Sequence, residues 1–367
     1  MKILILSSYA PTLFFFREDM ISEMLKRGHE VIAAAPESRK EWAVKFEKRG
    51  IKYTTIAVER TGTNPLKDLI TLFSILKVIL KEKPDKIFTY QAKTVIYGCM
   101  AAKISRIADV YVLMGGLGSV FRSEIKRNLA KGILKIEYKI AMKCCKFVFF
   151  QNSDDSSEML KAGIVARRKI IMINGSGVNL DKFIPKPLPS EITFLFVGRI
   201  IRDKGINEYI SAAKIVKQVY PQTRVQIVGY FDSNPTAIKE EEIKANMRNG
   251  IIEYLGATDD VRPYLEKCSV FVLPSYHEGT PKSVLEAMAT GRPIITTDAP
   301  GCRETVIDGR NGFKVPVKNV DELAKKMIWM IENRSELEKM GQESLKMCRE
   351  KFDVNVINQI ILNTMDI

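Results

Sequence analysis

Residues 270–297 read VFVLPSYHEGTPKSVLEAMATGRPIITT. The run 270–274 is short and uninterruptedly apolar, the pattern of a strand buried on both faces. The stretch 275–281 carries Gly279 and Pro281 among polar residues and reads as a loop. Residues 283–290 are alanine-rich and helix-like, and Gly291 and Pro293 stop them. Pro281 fits at or before the first helical turn, where its missing N–H costs nothing. PIITT (293–297) is a strand again. Strand, loop, helix and strand in succession imply an α/β fold with a parallel sheet.

The same rhythm extends outward. In the second half TFLFVG (193–198), RVQIVG (224–229) and IIEYLG (251–256) read as further strands. In the first half KILILS (2–7), VIAAA (31–35), KYTTI (52–56), KIFTY (86–90), VYVLM (110–114), FVFFQ (147–151) and KIIMI (169–173) alternate with helical stretches such as 64–83. Between the halves, Pro185, Pro187 and Pro189 exclude a helix or a central strand, so 185–190 reads as a linker. The expected architecture is α/β, with two doubly wound Rossmann-like domains facing across a cleft. Residues 1–184 form the first, residues 191–350 the second, and a helix from about 350 packs back onto the first. Such sheets bind ligands beyond the carboxyl ends of their strands, so the gap between the domains is the expected site.

A chain of 367 residues suits two buried cores. Six scattered cysteines form no CxxC pair and no Cys/His cluster of metal-ligand spacing, which argues against structural zinc and suits a reducing cytosol. The opening MKILILSS is too short an apolar run for a secretion signal, and no apolar run is long enough to span a membrane. The net charge of +14 sits wholly in the first half: residues 1–190 hold 33 Lys+Arg against 18 Asp+Glu, the remainder 24 against 25. That asymmetry suggests an anionic partner, either a membrane surface or a nucleic acid.

Within the opening stretch, Glu278 and Glu286 stand eight positions apart. The helix between them would present first-turn amides near residues 282–285 to an anion, and a diphosphate is a natural guest. Glu278, in the loop, would face whatever the phosphate carries. Glu286 can accept two hydrogen bonds from a vicinal diol such as that of ribose. The pattern suits a sugar nucleotide.

PSYHEGTPKSVLEAMATGRPII resembles the E-x7-E signature of retaining GT-B glycosyltransferases, in particular family 4. The resemblance implies that Glu278, with the amides of Gly279 and Thr280, orients the sugar, and that Glu286 holds the ribose. Pro281, Ser283 and Val284 complete the donor-binding loop and helix start. VGRIIRDKG (197–205) is similar to the family's R-x4-K-G, which makes Arg199 and Lys204 the cations that hold the donor diphosphate. Paired cations there stabilise the charge of the leaving group. Residues 254–275 are similar to the segment lining the base pocket, where Gly256 and Val261 are assigned. Asp154-Asp155 and Asp259-Asp260 read as loop or cap residues rather than metal anchors, so no metal and no cofactor is expected.

The resemblance implies that the first domain takes the acceptor. The loop after the first strand, SSYAPTLFFFRED, holds Phe14, Phe15 and Phe16 as a possible apolar lip, with Arg17 placed to meet a phosphate or sugar. Gln91 and Lys93, beyond the KIFTY strand, are further acceptor-side candidates. Many family members carry an acceptor-side histidine here. His29 precedes a strand and His277 belongs to the donor loop, so no base is assigned and the departing phosphate is left to take the acceptor proton. In 121–146, Arg127, Lys131, Lys135, Lys139 and Lys143 recur every four residues, with Ile125, Leu129, Ile133, Ile136 and Ile140 on another face. Such a basic amphipathic helix suits anionic headgroups, and the apolar ILKVIL end of 64–83 would add to that face.

GGLGSVF (115–121), FFFRED and SGVNLDKF (176–183) are similar to bacterial N-acetylgalactosaminyltransferases that build lipid-linked oligosaccharides. The expectation is a metal-independent, peripheral-membrane transferase at the cytoplasmic face of the plasma membrane. It would move a hexose or N-acetylhexosamine from a UDP-sugar to an undecaprenyl-diphosphate-linked saccharide. Rival readings are a sugar-nucleotide epimerase on the same fold, for which no acid/base pair is found, and a nucleic-acid-binding protein, for which no recognition motif stands out.

Overall fold

Seven strands form the first sheet: β1 (Lys2–Leu6), β2 (Glu30–Ala35), β3 (Lys52–Thr55), β4 (Lys86–Tyr90), β5 (Asp109–Met114), β6 (Phe147–Phe150) and β7 (Ile170–Met172). They are ordered β3-β2-β1-β4-β5-β6-β7, and every pairing is parallel. The structure, a computed structural model, describes all residues except 60, 61, 63, 107, 108, 118–127 and 233–235, and only the backbone of 128–130. Alternation along each strand divides the core. Ile3 and Ile5 of β1 join one buried cluster, while Leu4 and Leu6 join another on the opposite face. Both faces are covered, which is why the central strands are apolar over most of their length.

The second sheet holds β8 (Thr193–Val197), β9 (Arg224–Val228), β10 (Glu253–Tyr254), β11 (Val270–Leu273), β12 (Ile294–Thr297) and β13 (Gly312–Val315). Its order is β10-β9-β8-β11-β12-β13, again all parallel. β13 was not among the expected strands. In each sheet the strand order reverses once, between β1 and β4 in the first and between β8 and β11 in the second.

The chain divides into residues 1–176 with 354–367, and residues 177–353. The boundary is therefore not the proline stretch 185–190. That stretch is fastened to the second unit: the fully buried Arg292 donates to the Pro187 carbonyl at 3.1 Å, and Arg334 donates to the Pro189 carbonyl at 3.0 Å. The Lys186 amide also donates to the Thr290 carbonyl at 3.2 Å. The helix Val354–Thr364 groups with the first unit.

Two expectations for the first unit need correction. The aromatic run is not in a loop, because the helix Pro11–Lys26 begins with Pro11 in its first turn and contains Phe14, Phe15 and Phe16. Phe14 stacks on Phe46 at 4.5 Å, while Phe15 and Phe16 are exposed. The ILKVIL end of helix Pro65–Glu82 is core rather than surface, since Ile75, Val78 and Ile79 are buried. The exposed apolar residues of that helix are Leu66, Leu69, Ile70 and Phe73, with Leu80 at its far end. The helix start is fixed by Asn64, whose side chain accepts from the Leu66 amide at 3.0 Å.

The basic segment is helical over Asn128–Cys144. Ile125 and Arg127 lie outside the described residues, as does the Leu129 side chain and the 118–121 part of GGLGSVF. Tyr138, Ala141 and Met142 face the core, and Ile133, Ile136 and Ile140 are exposed. Among the described residues, no helix is long and apolar enough to cross a membrane.

Candidate active site

The loops after β8 and β11 meet where the second sheet reverses. After β8 comes a single turn of 3-10 helix, Arg202–Lys204, then Gly205, then the helix Ile206–Val219. Gly205 has φ +73°, and a Cβ there would lie 2.0 Å from the Pro274 carbonyl oxygen. Only glycine allows the two loops this approach. The Tyr276 amide donates to the Asp203 carbonyl at 2.9 Å and fixes their register.

This alignment brings Lys204 onto Glu278. The ammonium is ion-paired with Oε1 of the carboxylate, and both side chains are largely buried. The Ser275 hydroxyl donates to the same oxygen at 2.7 Å. Burial alone would push the Glu278 carboxyl up, but Lys204, the Ser275 hydroxyl and the nearby Arg199 hold it below its ordinary value. The Glu278 amide donates to the Pro300 carbonyl at 2.9 Å. Gly301 packs against that backbone, where a Cβ would lie 2.3 Å from the Glu278 carbonyl oxygen.

Arg199 donates to Asp232 Oδ2 at 3.0 Å. Asp232 was missed in the sequence; its place just beyond the end of β9 is the signal that could have found it.

Helix Lys282–Ala289 starts at Pro281, as its sequence suggests. Its first-turn amides are only partly open. The amides of Val284 and Leu285 both donate to the Pro281 carbonyl, at 3.0 and 3.3 Å. Glu286 is largely buried, 3.9 Å from the Lys282 ammonium. Burial pushes its carboxyl up to about 7, opposed by Lys282 and reinforced by Asp260. The two glutamates thus sit in opposite electrostatic settings. Gly256, with φ +81°, accepts the Gly229 amide through its carbonyl at 2.9 Å, and Val261 opens the helix Arg262–Lys267. Asp260 caps that helix through the Arg262 amide at 3.1 Å. Asp155 is tied to the N-cap residue Asn152, its amide donating to Oδ1 at 2.8 Å.

In the first unit, Gln91 and Arg17 both lie where β1 and β4 end. Gln91 has φ 73° and ψ 140°, a region that side chains avoid. Its Oε1 accepts from the Ser8 amide at 2.7 Å, the Ser8 hydroxyl at 2.9 Å and the Ser7 hydroxyl at 3.1 Å. Arg17 is only 5% exposed. Its guanidinium lies 5.0 Å from the Tyr90 ring centroid and 5.9 Å from that of Phe88. Among the described residues no carboxylate pairs with it, and its Nε has no hydrogen-bond partner. Burial lowers its pKa to about 10, against the opposing pull of Tyr90. A cation–π contact contributes about 2 kcal/mol when desolvated, less than the several kcal/mol that burying an ion costs.

Lys93, the other acceptor-side candidate, lies on helix Ala92–Ser105. Its ammonium is ion-paired with Asp68 at 2.7 Å, and both are largely buried. The pair ties helix Pro65–Glu82 to helix Ala92–Ser105, with the Tyr97 hydroxyl donating to Glu137 at 2.9 Å nearby.

Two doubly wound, all-parallel sheets in one chain are the architecture of the GT-B fold. Sucrose-phosphate synthase from Thermosynechococcus elongatus shares the fold with a TM-score of 0.82, over 100% of this chain and 98% of that one, at 18% identity. Anabaena HepE, solved in complex with UDP, shares it with a TM-score of 0.78 over 100% of both chains, also at 18% identity. Residues 179–347 match the family described as glycosyl transferases group 1, and residues 2–152 match glycosyl transferase 4-like. The chain is 30% identical to the N,N'-diacetylbacillosaminyl-diphospho-undecaprenol alpha-1,3-N-acetylgalactosaminyltransferase of Campylobacter jejuni, over 100% of this chain and 98% of that protein. It is 28% identical to the UDP-Gal:alpha-D-GlcNAc-diphosphoundecaprenol alpha-1,3-galactosyltransferase of Escherichia coli, over 80% of this chain and 76% of that protein. The chain belongs to the group 1, family 4-like glycosyltransferases, and it is a glycosyltransferase.

Proposed function

We propose that this glycosyltransferase moves a hexose or N-acetylhexosamine, with retention, from a UDP-sugar to an undecaprenyl-diphosphate-linked saccharide in bacterial surface-glycan assembly. The observation that carries the reading is the Lys204–Glu278 pair, with Arg199 beside it, at the reversal of the second sheet. The two named relatives act, by their names, on diphosphoundecaprenol-linked sugars, and HepE was solved with UDP.

Lys204 and Arg199 neutralise the diphosphate as it leaves. Lys204 is then shared between phosphate and Glu278, and Arg199 between phosphate and Asp232. Glu278, with the amides of Gly279 and Thr280, orients the hexose. The Ser283 amide and the helix dipole face the phosphates, while Pro281 and Val284 set that helix start. Glu286 accepts from the ribose diol, and Gly256 and Val261 border the base. As the C1–phosphate bond breaks, the acceptor hydroxyl attacks from the same face and gives its proton to the departing phosphate. This assignment calls for no divalent ion.

The acceptor falls to the first unit, near Phe16, Arg17 and Gln91. Helices Pro65–Glu82 and Asn128–Cys144 both pack beside helix Ala92–Ser105. Their exposed Leu66, Leu69, Ile70, Phe73, Ile133, Ile136 and Ile140, together with Lys131, Lys135, Lys139 and Lys143, would suit an anionic membrane. Each lysine at such a surface contributes about 1 kcal/mol. Peripheral attachment to the inner face of the plasma membrane follows from this reading.

Glu278→Ala should abolish transfer from UDP-sugars while circular dichroism and the melting temperature show a folded protein. Full turnover by that variant would remove Glu278 from the mechanism.

A further inference from the structure

We propose that the reversal point of the first sheet is a phosphoryl-binding site in which Arg17 is the recognition group, and that an anion bound there supplies the counter-charge that the protein itself withholds. The proposal rests on the reading above that the first unit takes a diphosphate-linked acceptor, and it adds which group is held and by what.

Arg17 is on helix Pro11–Lys26 and is almost wholly enclosed. A buried arginine ordinarily faces a carboxylate. This one faces aromatic rings, and its guanidinium is nearer Tyr90, the last residue of β4, than Phe88 further back. It therefore lies toward the carboxyl edge of the sheet, where ligands of doubly wound folds bind. Glu37, whose charge reaches Tyr90, accepts the Ala10 amide through its Oε2 at 2.8 Å.

The rest of the reversal point is organised around the same edge. The Tyr90 hydroxyl is 3.0 Å from Thr12 Oγ1, which is 3.0 Å from the Ser7 hydroxyl. Ser7 and Ser8 are gathered by the Gln91 side chain, held by a backbone in the left-handed half of φ space. Strain of this kind concentrates at ligand sites. Gln91 also opens the helix Ala92–Ser105 without a side-chain cap, so the positive end of that helix dipole starts one residue beyond Tyr90 and Gln91. Phe15 and Phe16, immediately before Arg17, are exposed on the same helix and suit the first isoprene units of a lipid tail. Cation, hydroxyls, helix start and apolar neighbours together fit a phosphate ester on a lipid better than a neutral sugar.

The test is thermal melting of the full chain, with Arg199→Ala/Lys204→Ala as the background so that diphosphates do not report on the second unit. The probes are inorganic pyrophosphate, farnesyl diphosphate and farnesol. The account expects farnesyl diphosphate to raise the melting temperature by several degrees, and Arg17→Met to remove that shift. Arg17→Met should also melt at or above the temperature of its parent, because methionine keeps the packing on the rings and deletes the uncompensated charge. A response to pyrophosphate as well assigns the affinity to the phosphoryl group itself; a response to farnesyl diphosphate alone assigns it to the lipid-linked form. A shift that survives Arg17→Met, or one that farnesol reproduces, overturns the proposal. So does a marked destabilisation by Arg17→Met with no response of the parent to any diphosphate, which makes Arg17 a packing residue. UDP binding by the wild-type full chain is measured separately, so failure here leaves the donor reading intact.

Discussion

The two sheets reverse strand order at corresponding places, and the two reversal points treat charge in opposite ways. At β8/β11 each of the two motif cations already has an acid: Lys204 has Glu278 and Arg199 has Asp232. At β1/β4 the guanidinium of Arg17 rests on Tyr90 and Phe88 with no acid among the described residues. The second point is balanced before any ligand arrives. Its ligand must therefore bring hydroxyls for the acids as well as phosphate for the cations, which is what a sugar nucleotide carries. The first is out of balance and gains from an anion alone.

The largest effect on this contrast should come from separating the loops that create the balance. Gly205→Ala would force a Cβ against the Pro274 carbonyl at a positive φ. We expect a loss of about 3 kcal/mol in urea unfolding, from strain and displaced loops. An unchanged midpoint would mean that Lys204 and Glu278 do not depend on this close approach.

A pH-dependent effect of similar size should come from Glu286, the acid in the second unit whose cation, Lys282, stands 3.9 Å away. Its folded pKa is about 7 against an ordinary 4.5, so the folded chain keeps a proton that the unfolded chain releases between those values. Its stabilising contribution is therefore complete below pH 4.5 and is lost as the pH rises through 7. The difference amounts to about 3 kcal/mol. Glu286→Gln should flatten the fall in stability between pH 5 and 7.5, followed by denaturant titration at each pH. Glu278, whose pKa is lowered, acts only toward the acid side and leaves this window clear. An equal slope in the variant would place the titration elsewhere.

The parallel strands were legible because both faces of each sheet are covered, which leaves continuous apolar runs. β13 escaped because Gly312 and Lys314 interrupt a short segment, leaving only Phe313 and Val315 as apolar signal. The loops after β8 and β11 were legible from local spacing, but the pairing of Lys204 with Glu278 depends on Gly205 meeting Pro274, a contact distant in sequence. The same limit hid Asp232 behind Arg199. The proline stretch announced an irregular segment correctly, yet nothing local shows that Arg292 reaches back to hold it. Arg17 was readable as a candidate, whereas its burial on Tyr90 comes from the pairing of β1 with β4. Lys93 was readable as a candidate too, whereas its ion pair with Asp68 depends on helix packing that local sequence does not show.

The central claim is that Arg199, Lys204, Glu278 and Glu286 grip one sugar nucleotide. Calorimetric titration of UDP into the wild type and Lys204→Ala tests it most directly. The account predicts saturable binding at one site by the wild type and an affinity at least about tenfold weaker in the variant, as for a lost charge-assisted contact to phosphate. Equal affinities for the two proteins, or no binding of UDP to the wild type, would contradict it.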